Sequence, residues 1–192
     1  MVDVDDLDSA MALYRHLEAE ALPGIVDLVP AAATVLVEFD PDVVEAGALA
    51  RRIEARSSLP APAPPSETVR IPVVYDGPDL SFVAEVMGMA IPEFVRWHTS
   101  GRWTVAFGGF APGFGYCVTE GERPDIPRLH APRTAVPAGS VAMAGAFTGI
   151  YPRESPGGWR VIGRTDHVLW DEHRDPPAVL RPGVDLCFTA TA

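Results

Sequence analysis

Between Phe107 and Thr165 this chain cannot run straight for long. Just under a third of its length holds Phe110-Ala111-Pro112-Gly113-Phe114, Val136-Pro137-Ala138-Gly139-Ser140, Thr148-Gly149-Ile150-Tyr151-Pro152 and Ser155-Pro156-Gly157-Gly158-Trp159. Twelve of the 17 glycines lie between Gly101 and Gly163. In a Pro-Gly pair, proline presets φ at the first turn position and glycine takes the positive φ at the second. The same bends carry Phe, Tyr, Trp and Arg side chains, so they predict a rigid, aromatic, cationic pocket suited to a small anion.

The flanking sequence predicts two units. Asp8 caps a first helix, with Leu13, Leu17 and Ala21 at helical spacing and Gly24 ending the pattern. Ile25 to Pro30 and Thr34 to Phe39 read as strands. Asp40-Pro41 then reads as a cap with proline at the first helical position, opening a helix to about Arg56. The run from Ser57 to Ser66, rich in proline, favours extended geometry and marks a boundary. Residues 1–66 therefore form a small α/β domain and 67–192 a second domain. There, a strand from Thr68 to Tyr75 and two short helices (Leu80 to Met87, Pro92 to His98) precede β-type runs. Those runs, Trp103 to Phe107, Val141 to Ala146, Trp159 to Gly163 and Val184 to Thr189, suggest a barrel or sandwich.

Composition excludes several chemistries. All 15 basic residues are Arg; Lys, Asn and Gln are absent. Without Lys there is no P-loop phosphate lysine, no Schiff base and no biotin carrier residue. A net charge of −11 argues against a nucleic-acid surface, although six arginines fall between Arg123 and Arg164. Cys117 and Cys187 stand alone and read as small buried groups. The acidic N-terminus lacks an export signal and no apolar run spans a bilayer, so a cytoplasmic, soluble protein is expected.

Several residues suggest chemistry and also have plainer explanations. Ser140, in Ala138-Gly139-Ser140-Val141-Ala142, lacks the second glycine of a nucleophile elbow and suits a strand-entry turn; Ser155 likewise suits a turn. Asp166-His167 and Asp171-Glu172-His173 hold ligating types at no recognised metal spacing and suit a solvated segment, so no metal site is expected. His98 suits a general acid or base, or a helix-terminal histidine bonded to free carbonyls. Arg128, Arg133, Arg153 and Arg164 sit beside turns where guanidinium groups grip carboxylates, or pair with local acids, as expected for Arg153 beside Glu154. Phe110, Phe114 and Trp159 line the pocket or fill the core.

Taken in order, Gly109 to Tyr116, Pro132-Arg133-Thr134, Val136 to Val141, Thr148 to Pro152, Ser155 to Trp159 and Ile162-Gly163-Arg164-Thr165 resemble the B subunit of the bacterial ATP-dependent 5-oxoprolinase. That family is also labelled allophanate hydrolase subunit 1 or carboxyltransferase domain, subdomain C and D, and it includes a sporulation-kinase inhibitor. The resemblance implies an α+β chain with a small α/β domain followed by a cyclophilin-like β-barrel. It implies a heteromer completed by a homologous C subunit, together with the A subunit, opening 5-oxoproline to glutamate at the expense of ATP bound at the level of the complex. His98 and Arg133 match positions typical of the family. With the turns, the resemblance marks His98 as the candidate catalytic residue. It marks Phe110, Phe114, Arg128, Arg133, Ser140, Thr148, Tyr151, Trp159 and Arg164 as candidate substrate-binding residues. Met1 leads almost directly into the first helix, so the family's first strand is expected to be missing. The acidic stretch from Thr119 to Ile126 makes Arg123 a poor anion ligand. Alternative readings are half of a urea or allophanate-pathway carboxyltransferase or hydrolase, and a binding module that inhibits a histidine kinase. The hydrolase arrangement with Ser-Ser-Lys is excluded by the missing Lys.

Overall fold

The computed structural model describes residues 1–55, 67–121 and 124–191. The proline-rich run and Arg123 lie outside them. The chain divides into two compact units, Met1–Pro65 and Ser66–Ala192.

In the first unit, β1 (Val2–Asp3), β2 (Ile25–Pro30) and β3 (Thr34–Phe39) form an antiparallel sheet in the order β1-β3-β2, beside helices α1 (Leu7–Glu20) and α2 (Ala46–Glu54). The edge position expected to be vacant is thus held by two residues, Val2 and Asp3, paired with Val35 and Thr34. The caps also differ from expectation. Asp6 caps α1 by accepting a hydrogen bond from the Ser9 N–H at 2.8 Å, which leaves Asp8 to complement the helix dipole in the first turn. The helix ends at Ala21, left-handed and exposed, before Gly24 is reached. Asp40-Pro41 opens a single capped turn, not a helix: the Asp40 carboxylate accepts the Asp42 N–H and its carbonyl accepts the Val43 and Val44 N–H groups, but the turn is not continued. Helix α2 starts later, where Glu45 accepts the Gly47 and Ala48 N–H groups, each at 2.9 Å.

The second unit contains β4 (Thr68–Val74), α3 (Leu80–Val86), α4 (Ile91–Ser100), β5 (Trp103–Gly108), β6 (Gly115–Thr119), β7 (Arg133–Val136), β8 (Ser140–Ala144), β9 (Phe147–Ile150), β10 (Ser155–Gly157), β11 (Arg160–Arg164) and β12 (Asp185–Thr191). Seven of these strands close into a barrel in the order β11-β4-β12-β5-β6-β9-β8, and β10 with β7 forms a separate ribbon. β4 and β12 run parallel in register from Thr68↔Asp185 to Val74↔Thr191, while the other described pairs are antiparallel. This is the α+β arrangement with a closed mixed barrel.

Strand β8 shows how the unit packs. All five of its residues are buried, so alternation sorts them between two cores instead of between core and solvent. Val141 and Met143 join Ile71, Phe94, Trp103, Leu186 and Phe188 inside the barrel. Ala142 and Ala144 join Phe114, Val136, Tyr151, Trp159 and Val161 in a second cluster. The barrel interior is therefore a packed core and not a channel, and the aromatic turns gather on its outer wall. Cys117 is buried, as expected, whereas Cys187 is only partly so; both are free thiols.

Candidate functional site

The four motifs build the outer cluster, two as turns and two largely as strands, since Thr148 to Ile150 lies in β9 and Ser155 to Gly157 forms β10. In Gly109-Phe110-Ala111 the Ala111 N–H reaches back to the Gly109 carbonyl at 2.7 Å, closing a γ-turn with Phe110 at φ 65°. Ala111 to Phe114 follow as a type II turn: the Phe114 N–H donates to the Ala111 carbonyl at 3.0 Å and Gly113 takes φ 82°. The Pro-Gly chemistry of the sequence accounts for this second turn. The first is unusual, since a non-glycine residue held at positive φ costs about 1–3 kcal/mol.

Phe114 is the hub of the cluster. Its buried ring meets Phe110, Tyr116, Tyr151 and Trp159 edge to face, at centroid distances of 5.3, 5.2, 5.5 and 5.3 Å. Each such pair adds about 0.5–1.5 kcal/mol beyond its burial. Gly149 on β9 leaves room for this packing, because a Cβ there would lie 2.8 Å from Phe114 Cζ and 3.1 Å from Trp159 Cζ3. Between these rings and the β7–β10 ribbon lies a cleft of about 220 Å³, lined by Phe110, Phe114, Tyr116, Arg128, Pro132, Tyr151, Pro156, Gly157, Gly158 and Trp159.

Arg128 supplies the charge of the cleft. It is exposed, and among the described residues it has no carboxylate partner. Burial raises the hydroxyl pKa of Tyr116 and of Tyr151, and the nearby Arg128 charge offsets part of each shift. Both phenols stay protonated at neutral pH and can donate. One unpaired guanidinium, two phenols and flat apolar walls have the chemistry to suit a small anion with an apolar body.

Arg133 is placed differently. With Arg160 it grips the buried Asp79: Arg133 Nη2 lies 2.9 Å from Asp79 Oδ2, Arg160 Nη1 3.7 Å from Oδ1, and the Val161 N–H donates to Oδ2 at 2.7 Å. Arg133 Nη1 also donates to the Trp159 carbonyl at 3.4 Å. It therefore holds a cleft wall in place while its own charge is already matched.

The family model for the carboxyltransferase domain, subdomain C and D, matches residues 1–180. The chain belongs to this family. Among carboxyltransferase C/D relatives, the 5-oxoprolinase B subunit of Escherichia coli O157:H7 is 39% identical over 171 residues, covering 87% of this chain and 78% of the relative. The crystal structure of TTHA0988 superposes with a TM-score of 0.78 at 35% identity, covering 97% of this chain and 37% of that one. This chain thus spans little more than a third of that longer chain. Urea amidolyase of K. lactis shares the fold, with a TM-score of 0.74 at 22% identity over 97% of this chain and 13% of its own.

Of the residues expected to serve this carboxyltransferase C/D chain, the cleft unites Phe110, Phe114, Arg128, Tyr151 and Trp159. Besides Arg133, which braces a wall from behind, four others lie elsewhere. Ser140 is buried at the start of β8, its backbone N–H bonded to the Pro137 carbonyl. Arg164 pairs with Asp76 at 2.9 Å on the exposed surface, a contact worth about 0–1 kcal/mol. Thr148 is fully buried, with its hydroxyl 3.3 Å from the Ala142 carbonyl and 3.2 Å from His98 Nε2. His98 itself has no exposed surface. Its Nδ1 meets the Tyr75 hydroxyl at 2.7 Å and its ring packs among Phe94, Trp103 and Phe188. His98 thus lies enclosed in the barrel core and outside the cleft, and its ring nitrogens meet the Tyr75 and Thr148 side chains, not the free helix carbonyls of the plainer expectation.

Burial pushes the pKa of His98 down from 6.5 to about 3. The unfolded chain then binds one more proton than the folded one between these values, so this residue removes stability as pH falls through that window and none above it. Its expected contribution is a loss of about 1.4 kcal/mol per pH unit. Urea unfolding from pH 6.5 to pH 4 should show a shallower pH slope in His98→Leu; equal slopes would show that His98 does not titrate in this way.

Sequence reasoning missed Tyr116 and Asp79 as parts of the site. Tyr116 alternates with the inward Cys117 on β6 and was readable as outward-facing. Asp79 looks like a helix cap, but its carboxylate makes no capping bond and is spent on β7 and β11. Thr165 accepts the His167 N–H, and Asp171 accepts the His173 N–H, so the acidic segment forms local turns. Among the described residues no group of three or more His, Cys, Asp or Glu is placed to hold a metal. No helix of the described residues is long and apolar enough to cross a membrane.

Proposed function

We propose that this chain is the B subunit of an ATP-dependent 5-oxoprolinase, working with the A and C subunits, the latter homologous to it. Its part is to hold the lactam acid in the outer cleft, with the carboxylate on Arg128 and the ring against Phe114, Tyr151 and Trp159. The observation that carries this reading is the unpaired Arg128 in an aromatic cleft, in a chain 39% identical to a protein named as the B subunit of 5-oxoprolinase. ATP chemistry belongs to the partners in this reading, because a lysine-free chain has no P-loop lysine to hold a nucleotide's phosphates. Walls of aromatic carbon exclude water from the bound ring, and the phenols of Tyr116 and Tyr151 orient it.

Omission from a reconstituted mixture tests it. With A, B and C subunits present, 5-oxoproline-dependent ATP hydrolysis is expected, and removal of this chain should abolish it. Undiminished coupled hydrolysis without this chain would defeat the reading.

A further inference from the structure

Phe110 is placed in a way the fold alone does not explain. Its backbone sits at φ 65°, where glycine would be free of strain, yet the residue is 57% exposed. The ring meets the cleft walls in T-shaped contacts, 5.3 Å from Phe114 and 6.0 Å from Tyr151, at interplanar angles of 71° and 83°. A strained backbone that displays a large apolar ring to water works against stability twice. Both costs are offset when something covers the face of the ring, and the space it borders is the cleft of Arg128.

The rest of the cleft states what that something is. Its volume of about 220 Å³ falls below the range of about 300–1,000 Å³ that holds drug-sized ligands. One guanidinium matches one carboxylate, and flat walls on several sides match a ring. A second carboxylate would have to leave water against aromatic carbon with no cation to meet it, and an ammonium group would sit beside Arg128.

We infer that Phe110 is the specificity-determining residue of this cleft, closing over a small ring that bears a single carboxylate and rejecting open-chain amino dicarboxylates. In the proposed reaction this means the lactam acid is retained and the glutamate formed from it is released. The inference rests on the cleft being the substrate site.

Calorimetric titration of the full chain with 5-oxoproline, cyclopentanecarboxylate and glutamate tests it, using wild type, Phe110→Gly and Phe110→Leu. Both ring acids should bind and glutamate should bind at least about tenfold more weakly. Phe110→Gly should weaken the ring acids about tenfold through loss of the covering face, with Tm not lowered, because relief of the positive φ, worth about 1–3 kcal/mol, offsets the lost edge-to-face contacts with Phe114 and Tyr151. Phe110→Leu, which keeps the strain and loses the flat face, should fall between. The inference is overturned if neither ring acid binds, if glutamate binds equally, if both variants bind like wild type, or if Phe110→Gly lowers Tm, which would make the ring a packing element. Phe110-dependent binding of cyclopentanecarboxylate without binding of 5-oxoproline would uphold the inference and remove the oxoprolinase reading. Coupled turnover indifferent to Phe110→Gly would do the reverse.

Discussion

Arg128→Met is expected to raise KM for 5-oxoproline in the reconstituted complex by about 10- to 100-fold, the loss that follows when a hydrogen bond to a charged group is removed. The methionine keeps much of the stem's apolar volume and removes only the guanidinium. Because the carboxylate lies away from the lactam carbon that reacts, Arg128 holds substrate and transition state alike, so kcat should change little while kcat/KM falls with KM. Arg128→Lys should recover part of the loss, since an ammonium supplies a point charge without the two-pronged geometry. KM for ATP serves as the internal control and should stay put. Initial rates of ATP hydrolysis over a range of 5-oxoproline concentrations decide the matter. A KM within threefold of wild type would remove Arg128 as the anchor.

The sequence made the Pro112-Gly113 turn legible because Pro-Gly chemistry acts locally, whereas Pro156-Gly157, expected to bend in the same way, lies in strand β10 paired with β7 and Gly157 takes no positive φ. Gly113 and Gly139 both take the positive φ that a second turn position demands, and β6 between them alternates with period two. What was not legible depended on contacts far along the chain. Nothing local tells whether β8 divides its side chains between core and solvent or between two cores; that depends on the β7–β10 ribbon covering the outer wall. His98 is a case of the same kind. On α4 it occupies a helix-terminal position, and only the closing of the barrel surrounds it with Phe94, Trp103 and Phe188 and sets it against Thr148, fifty residues later. The arginines divide by partner: Arg133 and Arg164 find Asp79 and Asp76, 54 and 88 residues away, and Arg128 finds none among the described residues. Spacing along the chain treats the three alike, whereas the fold gives a positioning residue, a surface pair and a free cation.

Asp79 carries the second large expectation. Its carboxylate, at the start of α3, is 7% exposed and receives Arg133, Arg160 and the Val161 N–H at once. Its own N–H donates to the Val161 carbonyl at 2.9 Å, so the helix is docked on β11 through both backbone and side chain. Asp79→Ala strips the partner from two guanidinium groups and leaves a buried N–H unsatisfied. Removing one member of a buried ion pair costs about 3–5 kcal/mol. Arg133 retains some access to water and can turn outward, so about 3 kcal/mol is expected, which lowers Tm by roughly 10 °C for a unit of this size. Asp79→Asn keeps an acceptor for the Val161 N–H and should lose about half as much. The effect should also reach the cleft: once released from Asp79, Arg133 no longer fixes the Trp159 carbonyl, and KM for 5-oxoproline should rise in Asp79→Asn even at temperatures where the variant is fully folded. Thermal unfolding with kinetics at 25 °C separates the two roles. Should Asp79→Ala lower Tm by less than about 2 °C, a shift worth under 1 kcal/mol, the carboxylate would not be the tie between α3, β11 and the ribbon.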